Sequence, residues 1–436
     1  MMKQILGAAL ALAAWLVPPP AQAVEVRYML WDSDQQPAYR QCAQRFEQLH
    51  PGITIRFQQA GWADYWTALS AGFIAGTAPD VFVNHLAKFP ELMKNGQLLD
   101  LAPLLKREPV DPQGFLPGLF GIWGRDGGQY GLPKDWDMVA LAVNLEMAER
   151  AGVTREELWS MTWNPQDGGS FERIARRLTR DRAGRSAAEP GFDRRRVRVY
   201  GFQTPGPGGA LGQTEWSHFA ASTGFTLQEQ PWSPRLRYDD PRLAQTLAYI
   251  AGLPDKGVSA RFELTRSLGS AAMFIAGKAA MVPEGSWMVA NFARNARFRH
   301  AWVPLPVGPM GRRASMRNGL GDSIWAGSKV KQQAWVWVRF MASPHCQRLV
   351  AEAGVTYPAL RGMAEVAVQA QARRGVDAAA FLAMSREHNF PMPIADHGAE
   401  INDWVGTAIE SVLIGKVDAP TALQTVDARV RRLLQP

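Results

Sequence analysis

Cysteine is scarce in this 436-residue sequence: Cys42 and Cys346 are all it holds. After residue 17 there is also no apolar run near the roughly 20 residues a membrane-spanning helix needs, so no internal transmembrane segment is expected. None of the seven histidines is followed by Glu, which removes an HExxH zinc site, and no G-x-S-x-G nucleophile elbow occurs. The glycine- and proline-rich stretch 204–212 has the spacing of neither a P-loop nor a dinucleotide-binding turn, and reads as a plain loop. No catalytic signature is left, and no cofactor or metal is implied.

What is present starts at the N-terminus. Lys3 precedes an apolar run over 5–17, three prolines and the small-x-small triplet Ala21-Gln22-Ala23. That is the pattern of a secretory signal peptide, residues 1–23, cleaved after Ala23; thirteen apolar residues are too few for an anchor. No Cys follows the cleavage site to be acylated, so the mature chain is expected free in the periplasm, without a membrane anchor. Removing 23 residues from 436 leaves 413, more than one core usually organises, and two domains are expected. The net charge of +8 and the basic run 194–198 raise nucleic acid as a partner. Export argues against it, and a short Arg run reads as a solvated face or strand edge. Oxidising surroundings permit a Cys42–Cys346 bridge, but two buried thiols fit the sequence as well, since spacing fixes no geometry.

Along the chain, strand patterns alternate with helical ones: strand 25–31, helix 38–49, strand 53–58, helix 63–75 and, past a Gly76-Thr77-Ala78-Pro79 turn, strand 80–83. That order predicts an α/β fold with a parallel, doubly wound sheet, whose ligands sit beyond the carboxyl ends of the strands. Those ends carry Trp31-Asp32-Ser33-Asp34, Gly61-Trp62-Ala63-Asp64 and Asn84-His85. Further on, Lys134 to Asp137 precede an apolar strand over 138–143, and a helix is expected near 215–223. A strand over 323–326 precedes a helix over 331–342, and the tail from about Ile401 has helical spacing. No internal repeat is evident.

Taken in order, HPGITIRF, AGTAPDVFV, Gly96-Gln97-Leu98-Leu99, YGLPKDWD with Asn144, FIAGKAAM with EGSW, PLPVGP and AGSK resemble the family of extracellular solute-binding proteins. This family, typified by the maltose receptor, feeds ATP-driven (ABC) sugar importers, and the resemblance spans essentially the whole chain. It implies a periplasmic-binding-protein fold, two α/β lobes closing by a hinge on a central cleft. Crossings are implied near Asp137, near Asp322 and around 366–375. Lobe one would hold 24–137 plus 323–365, and lobe two 138–322 plus 366–436. Both cysteines would then share a lobe. The implied partners are a carbohydrate and the permease subunits of an importer, with the chain itself monomeric.

A sugar presents apolar C–H faces ringed by hydroxyls, so its site needs flat aromatic platforms with carboxylates and amides at the rim. Sixteen tryptophans supply platforms, and placement has to choose among them. By resemblance Trp287 stacks on sugar, Asp137 accepts hydroxyls at the first crossing, and Asp135 and Trp136 flank it beside Lys134. Trp31, Asp32 and Asp34 lie on the first strand-to-helix loop, where an Asp either reaches the cleft or caps the helix. Trp62 and Asn84 match the second and third strand ends. An amide at Asn84, where the maltose receptor has an aromatic, implies a different sugar. Glu215, Trp216, Glu284, Asp322 and Trp404 complete the candidates: Glu284 either accepts hydroxyls or caps its helix, Glu215 and Trp216 lie where the register against the family is open by a few residues, Asp322 lies at a crossing, and Trp404, on the tail helix, has a core role as its alternative. Polyols, sugar phosphates and polyamines stay open as cargo, a phosphate needing Arg or Lys where Lys134 alone stands out. A secreted carbohydrate-active enzyme is the rival class, since it too would carry Trp platforms and paired carboxylates.

Overall fold

The computed structural model describes residues 23–435, so the expected signal peptide up to Gln22 lies outside the described residues. The first strand, β1 (Val24–Leu30), alternates cleanly: Val26, Tyr28 and Leu30 enter one core and Met29 the other. Helix α1 (Gln36–Leu49) buries Ala38, Tyr39, Cys42, Ala43 and Phe46 at three-to-four spacing, with Pro37 in its first turn. Strand β2 (Ile53–Gln59), helix α2 (Trp62–Ala75) and strand β3 (Val81–His85) follow; α2 ends on Gly76 at φ 69°, where a Cβ would be strained. Strand β1 pairs in parallel with β2 and β3.

The expected all-parallel sheet is interrupted at this point. Strand Ala314–Ile324 runs antiparallel to both β3 and Leu132–Asp137, and Tyr357–Pro358 closes the far edge. The chain leaves this lobe at the end of Leu132–Asp137 and re-enters from the other side, so the returning strand has to point backwards. Its first residues, Ala314–Arg317, pair in parallel with His388–Pro391.

Beyond Met138 the chain continues directly into Val139–Asn144, the centre of a three-stranded sheet flanked by Met281–Gly285 and His300–Val303, both antiparallel to it. All six of its residues are buried. Leu141 and Val143 pack with Phe171 and Phe202, while Ala140 and Ala142 face the core shared with Trp302 and Phe292. Helices Met363–Arg373 and Ala379–Ser385 cross behind the hinge, the first against Pro344–Ala353 and the second against the three-stranded sheet. An aromatic chain joins the lobes there: Trp136–Tyr357 (5.3 Å between centroids), Tyr357–Phe381 (5.9 Å) and Phe381–Trp302 (5.0 Å). The C-terminal helices Gly398–Leu413 and Ala419–Leu434 pack on each other and on Pro241–Gly252 in the second lobe.

Cys42 of α1 and Cys346 of helix Pro344–Ala353 meet where these two helices lie side by side. Their sulfurs are bonded, across a Cα–Cα distance of 5.3 Å. The pairing that the sequence left open is thus made within one lobe.

Candidate ligand-binding cleft

A cavity of about 640 Å³ lies between the lobes. Three chain features of lobe one converge on it. Trp31 follows the last residue of β1, and the loop after it is turned by Asp32, whose Oδ1 accepts from the Asp34 amide (2.8 Å). Trp62 opens α2 and meets Trp31 edge to face, centroids 5.0 Å apart, and His85 at 5.3 Å. It is 48% exposed, a large apolar surface to leave uncovered.

The floor is the hinge. Asp137, the last residue of its strand, accepts from Asn318 Nδ2 (3.0 Å) on the returning strand and from Gln213 Nε2 (2.6 Å) in the second lobe. Burial, with the charge of Asp135 nearby, pushes its carboxyl up to about 7 against those two donors. His85 accepts the Ala87 amide proton at Nδ1 (3.1 Å). Burial and Lys88 lower it to about 4, so the ring is neutral, and its Nε2 lies 3.0 Å from Asn318 Nδ2. The second lobe adds Trp287, Met288 and Asn291. Trp287 lies against the backbone of Gly285, where any Cβ would overlap the indole. Arg294 Nη2 donates to Asp34 Oδ2 across the cleft at 2.7 Å.

The lining therefore combines three indoles, three carboxylates, amides and a neutral imidazole, and no Lys or Arg belongs to it. Indole faces match C–H faces, and the acceptors match hydroxyls; an anion would find no counter-charge. Among the described residues no cluster of His, Cys, Asp or Glu could hold a metal, and no helix is long and apolar enough to cross a membrane.

The sequence profile of the bacterial extracellular solute-binding proteins matches residues 41–375. The chain belongs to this family. Similar proteins include a lactose-binding protein of Rhizobium radiobacter, 27% identical over 175 residues; that match spans 38% of this chain and 39% of the relative's length. Among solved structures, UspC of M. tuberculosis is 26% identical with a TM-score of 0.73, covering 94% of this chain and 100% of UspC. The ABC substrate-binding protein Lmo0181 of Listeria monocytogenes, solved with cycloalternan, has a TM-score of 0.79 at 19% identity, covering 95% and 99%, and shares the fold.

Of the residues the sequence singled out in this solute-binding protein, Trp31, Asp32, Asp34, Trp62, Asp137 and Trp287 come together in the cavity lining. The others are placed elsewhere, for physical reasons. Asn84 sits wholly buried between strands, its Nδ2 donating to Ser323 Oγ (3.1 Å); period-two alternation turns its neighbour His85 to the cleft instead. The inference drawn from an amide at that strand end loses its basis. Trp136 points to the opposite face from Asp137 and stacks behind the hinge. Asp135 and Lys134 form a buried pair (2.7 Å), and Lys134 also donates to Gln35 Oε1 (2.5 Å). Burial works against the Lys134 charge, yet Asp135 outweighs it and holds the amine protonated, so Lys134 is committed inside lobe one and does not await a phosphate. Asp322 accepts from Tyr28 Oη (2.9 Å) in the same interior, and burial raises it to about 7.

In the second lobe, Ser270 Oγ donates to Glu284 (3.1 Å), and burial raises Glu284 to about 8, with the charge of Glu215 adding to the effect. Burial likewise holds Glu215 at about 7. Neither belongs to the cavity lining. Trp216 is core, its ring on Gly212. Trp404 lies under the Arg429 guanidinium at 3.5 Å on the C-terminal helices. Gln213, Asn291 and Asn318, which sequence reasoning missed, are amides with no local pattern; only the fold brings them together.

Proposed function

We propose that this chain is the periplasmic receptor of an ATP-driven importer, capturing a neutral carbohydrate by closure of two lobes and presenting it to the permease subunits. One observation carries the reading: an interlobe cavity lined by Trp31, Trp62 and Trp287 with Asp32, Asp34 and Asp137, and by no cationic side chain. Two features favour a neutral solute over a polyamine. Asp34 is already paired with Arg294, and a group held near 7, as Asp137 is, carries little more than half its charge at neutral pH. Sugar phosphates are disfavoured by the missing counter-charge. Lobe two brings Trp287 and Gln213 to a floor built by lobe one, so a ligand that touches both favours the closed state by its differential affinity.

The test is a thermal-shift and calorimetric screen of the mature chain, from Val24 onward, against neutral mono- and oligosaccharides, polyols, sugar phosphates and polyamines. A neutral carbohydrate is expected to stabilise it, and Trp287→Ala to abolish binding with the melting temperature of the empty protein nearly unchanged. Stabilisation by spermidine and by no carbohydrate or polyol would move the cargo to a polyamine. Binding at wild-type affinity in the Trp287→Ala variant would refute the cleft assignment.

A further inference from the structure

The space between the lobes does not end at Trp62. On its far side a second chamber of about 410 Å³ opens, and Trp62 belongs to the lining of both. Lobe one supplies Leu86, Ala87 and Pro90, directly after the cleft residue His85. The facing wall is Leu211, Leu236 and Ile394, continued by Pro393, Ala395 and Ile401.

The chamber differs chemically from the main cavity. Part of its polar lining is engaged: Tyr238 Oη donates to the Ala210 carbonyl (2.9 Å), Asn402 Oδ1 accepts from the Ala210 amide (3.2 Å), and the Lys88 amine lies over the Trp66 ring at 5.9 Å, while the exposed Asp403 also lines the chamber. A sugar ring placed against the wall of Leu211, Leu236 and Ile394 would bury hydroxyls with few partners, a costly arrangement. A hydrocarbon or aryl group loses nothing. One flank of the chamber is a set of long-range contacts. Arg125 donates twice to Asp396 (2.9 and 3.1 Å) and stacks over Trp232 at 4.2 Å, while Trp232 meets Phe89 edge to face at 5.6 Å. The Trp232 amide donates to the Ile394 carbonyl (2.9 Å), tying this flank to the chamber wall.

We infer that the solute is an amphiphilic glycoside: its polyhydroxyl part lies in the Trp31–Trp62–Trp287 cavity, and an apolar substituent passes Trp62 into the second chamber. This rests on the carbohydrate reading above and narrows it. The substituent is an alkyl or aryl group, since shape and apolarity are what the chamber selects.

Two probes separate the claims. The neutral dye N-phenyl-1-naphthylamine, which carries no sugar, reports the chamber by fluorescence; matched methyl, butyl and hexyl glycosides of glucose, galactose and maltose report the two-part site by calorimetry. Dye fluorescence is expected to rise with the wild-type chain, and to be lost when the exposed lining position is filled by Ala399→Trp and weakened by Leu211→Asn. For the head group that binds, affinity is expected to climb about fourfold per methylene over the first few carbons, and the hexyl-to-methyl ratio to fall to about one in Ala399→Trp. A sugar that binds with no gain from the alkyl chain overturns the chamber and leaves the receptor reading intact. Dye binding that Ala399→Trp does not reduce overturns it as well. Dye bound in the chamber with no glycoside bound at all sinks the carbohydrate reading and this proposal together.

Discussion

Replacing Asp137 by Asn should make the protein less sensitive to alkaline pH. In the native fold the Asp137 carboxyl is held at about 7, against 3.8 for a free side chain, because burial penalises the charged form and Asp135 repels it. A carboxyl raised on folding stabilises the folded state when protonated. That contribution is fully present below about 4 and is lost as pH climbs through 7. Between pH 5 and pH 8 the loss from this one group is at most about 3 kcal/mol, at about 1.4 kcal/mol per pH unit while the group stays protonated in the fold. An Asn fits the same space. Its Oδ1 can take the Gln213 donor, and its Nδ2 can meet Asn318 Oδ1, a buried acceptor without a partner, once that amide turns over. Urea unfolding of wild type and Asp137→Asn at pH 5, 6, 7 and 8 measures the difference. The Asn variant should gain relative to wild type by on the order of 1–3 kcal/mol from pH 5 to pH 8. Parallel pH curves for the two proteins would show that Asp137 is already ionised in the fold, and the account of the hinge floor would be wrong.

Other consequences follow from single contacts. Cys42→Ser should destabilise lobe one, because the bridge closes a loop with a sequence separation of 304; the chain-entropy limit is about 6 kcal/mol, and dithiothreitol should lower the wild-type melting temperature while leaving the variant's unchanged. Gly285→Ala puts a methyl where the Trp287 indole lies, and should weaken ligand binding at least about tenfold, about 1.4 kcal/mol, with a normal far-ultraviolet spectrum. An unaltered dissociation constant there would mean that Trp287 is not held by Gly285. Arg294→Ala removes the cross-cleft contact to Asp34, and small-angle scattering of the empty protein should show a larger radius of gyration that returns to the wild-type value on adding ligand. No change in the empty form would mean that the aromatic chain behind the hinge sets the closed geometry alone.

The sequence was most legible where one pattern decides one outcome. The alternation in Val24–Leu30, the buried stripe of α1 and the helix stop at Gly76 need only local chemistry, and the elements form within a residue or two of where the pattern put them. Legibility failed at one-residue resolution in the hinge strand and in β3. In Leu132–Asp137, Asp135 and Asp137 share a stretch of sequence, but one is committed to Lys134 and Thr356 inside the lobe while the other faces the cleft. A register shift at Leu320/Gly321 is what brings Lys134 to the side of Asp135. No spacing rule predicts that shift, because it depends on the partner strand, which arrives from nearly two hundred residues later. The antiparallel return of Ala314–Ile324 was hidden for the same reason: its direction follows from the lobe crossing, not from its own residues.

The two lobes share the contacts that line the cleft. Gln213 and Arg294 belong to the second lobe, yet their partners Asp137 and Asp34 belong to the first and to the hinge. Separating the lobes would strip Asp137 of one of the two donors that oppose its burial and expose it to water, so its protonation and the degree of closure are linked. A solute that donates a hydroxyl to Asp137 takes part in the same balance, favouring the ionised form and the closed lobes together. To move such a protein from mostly open to mostly closed, the solute has to distinguish the two states by about 5.5 kcal/mol. Contacts to one lobe contribute nothing to that difference, since they are equal in both states. The discrimination has to come from what closure alone assembles: Trp287 brought opposite Trp31 and Trp62, and Gln213 at the floor.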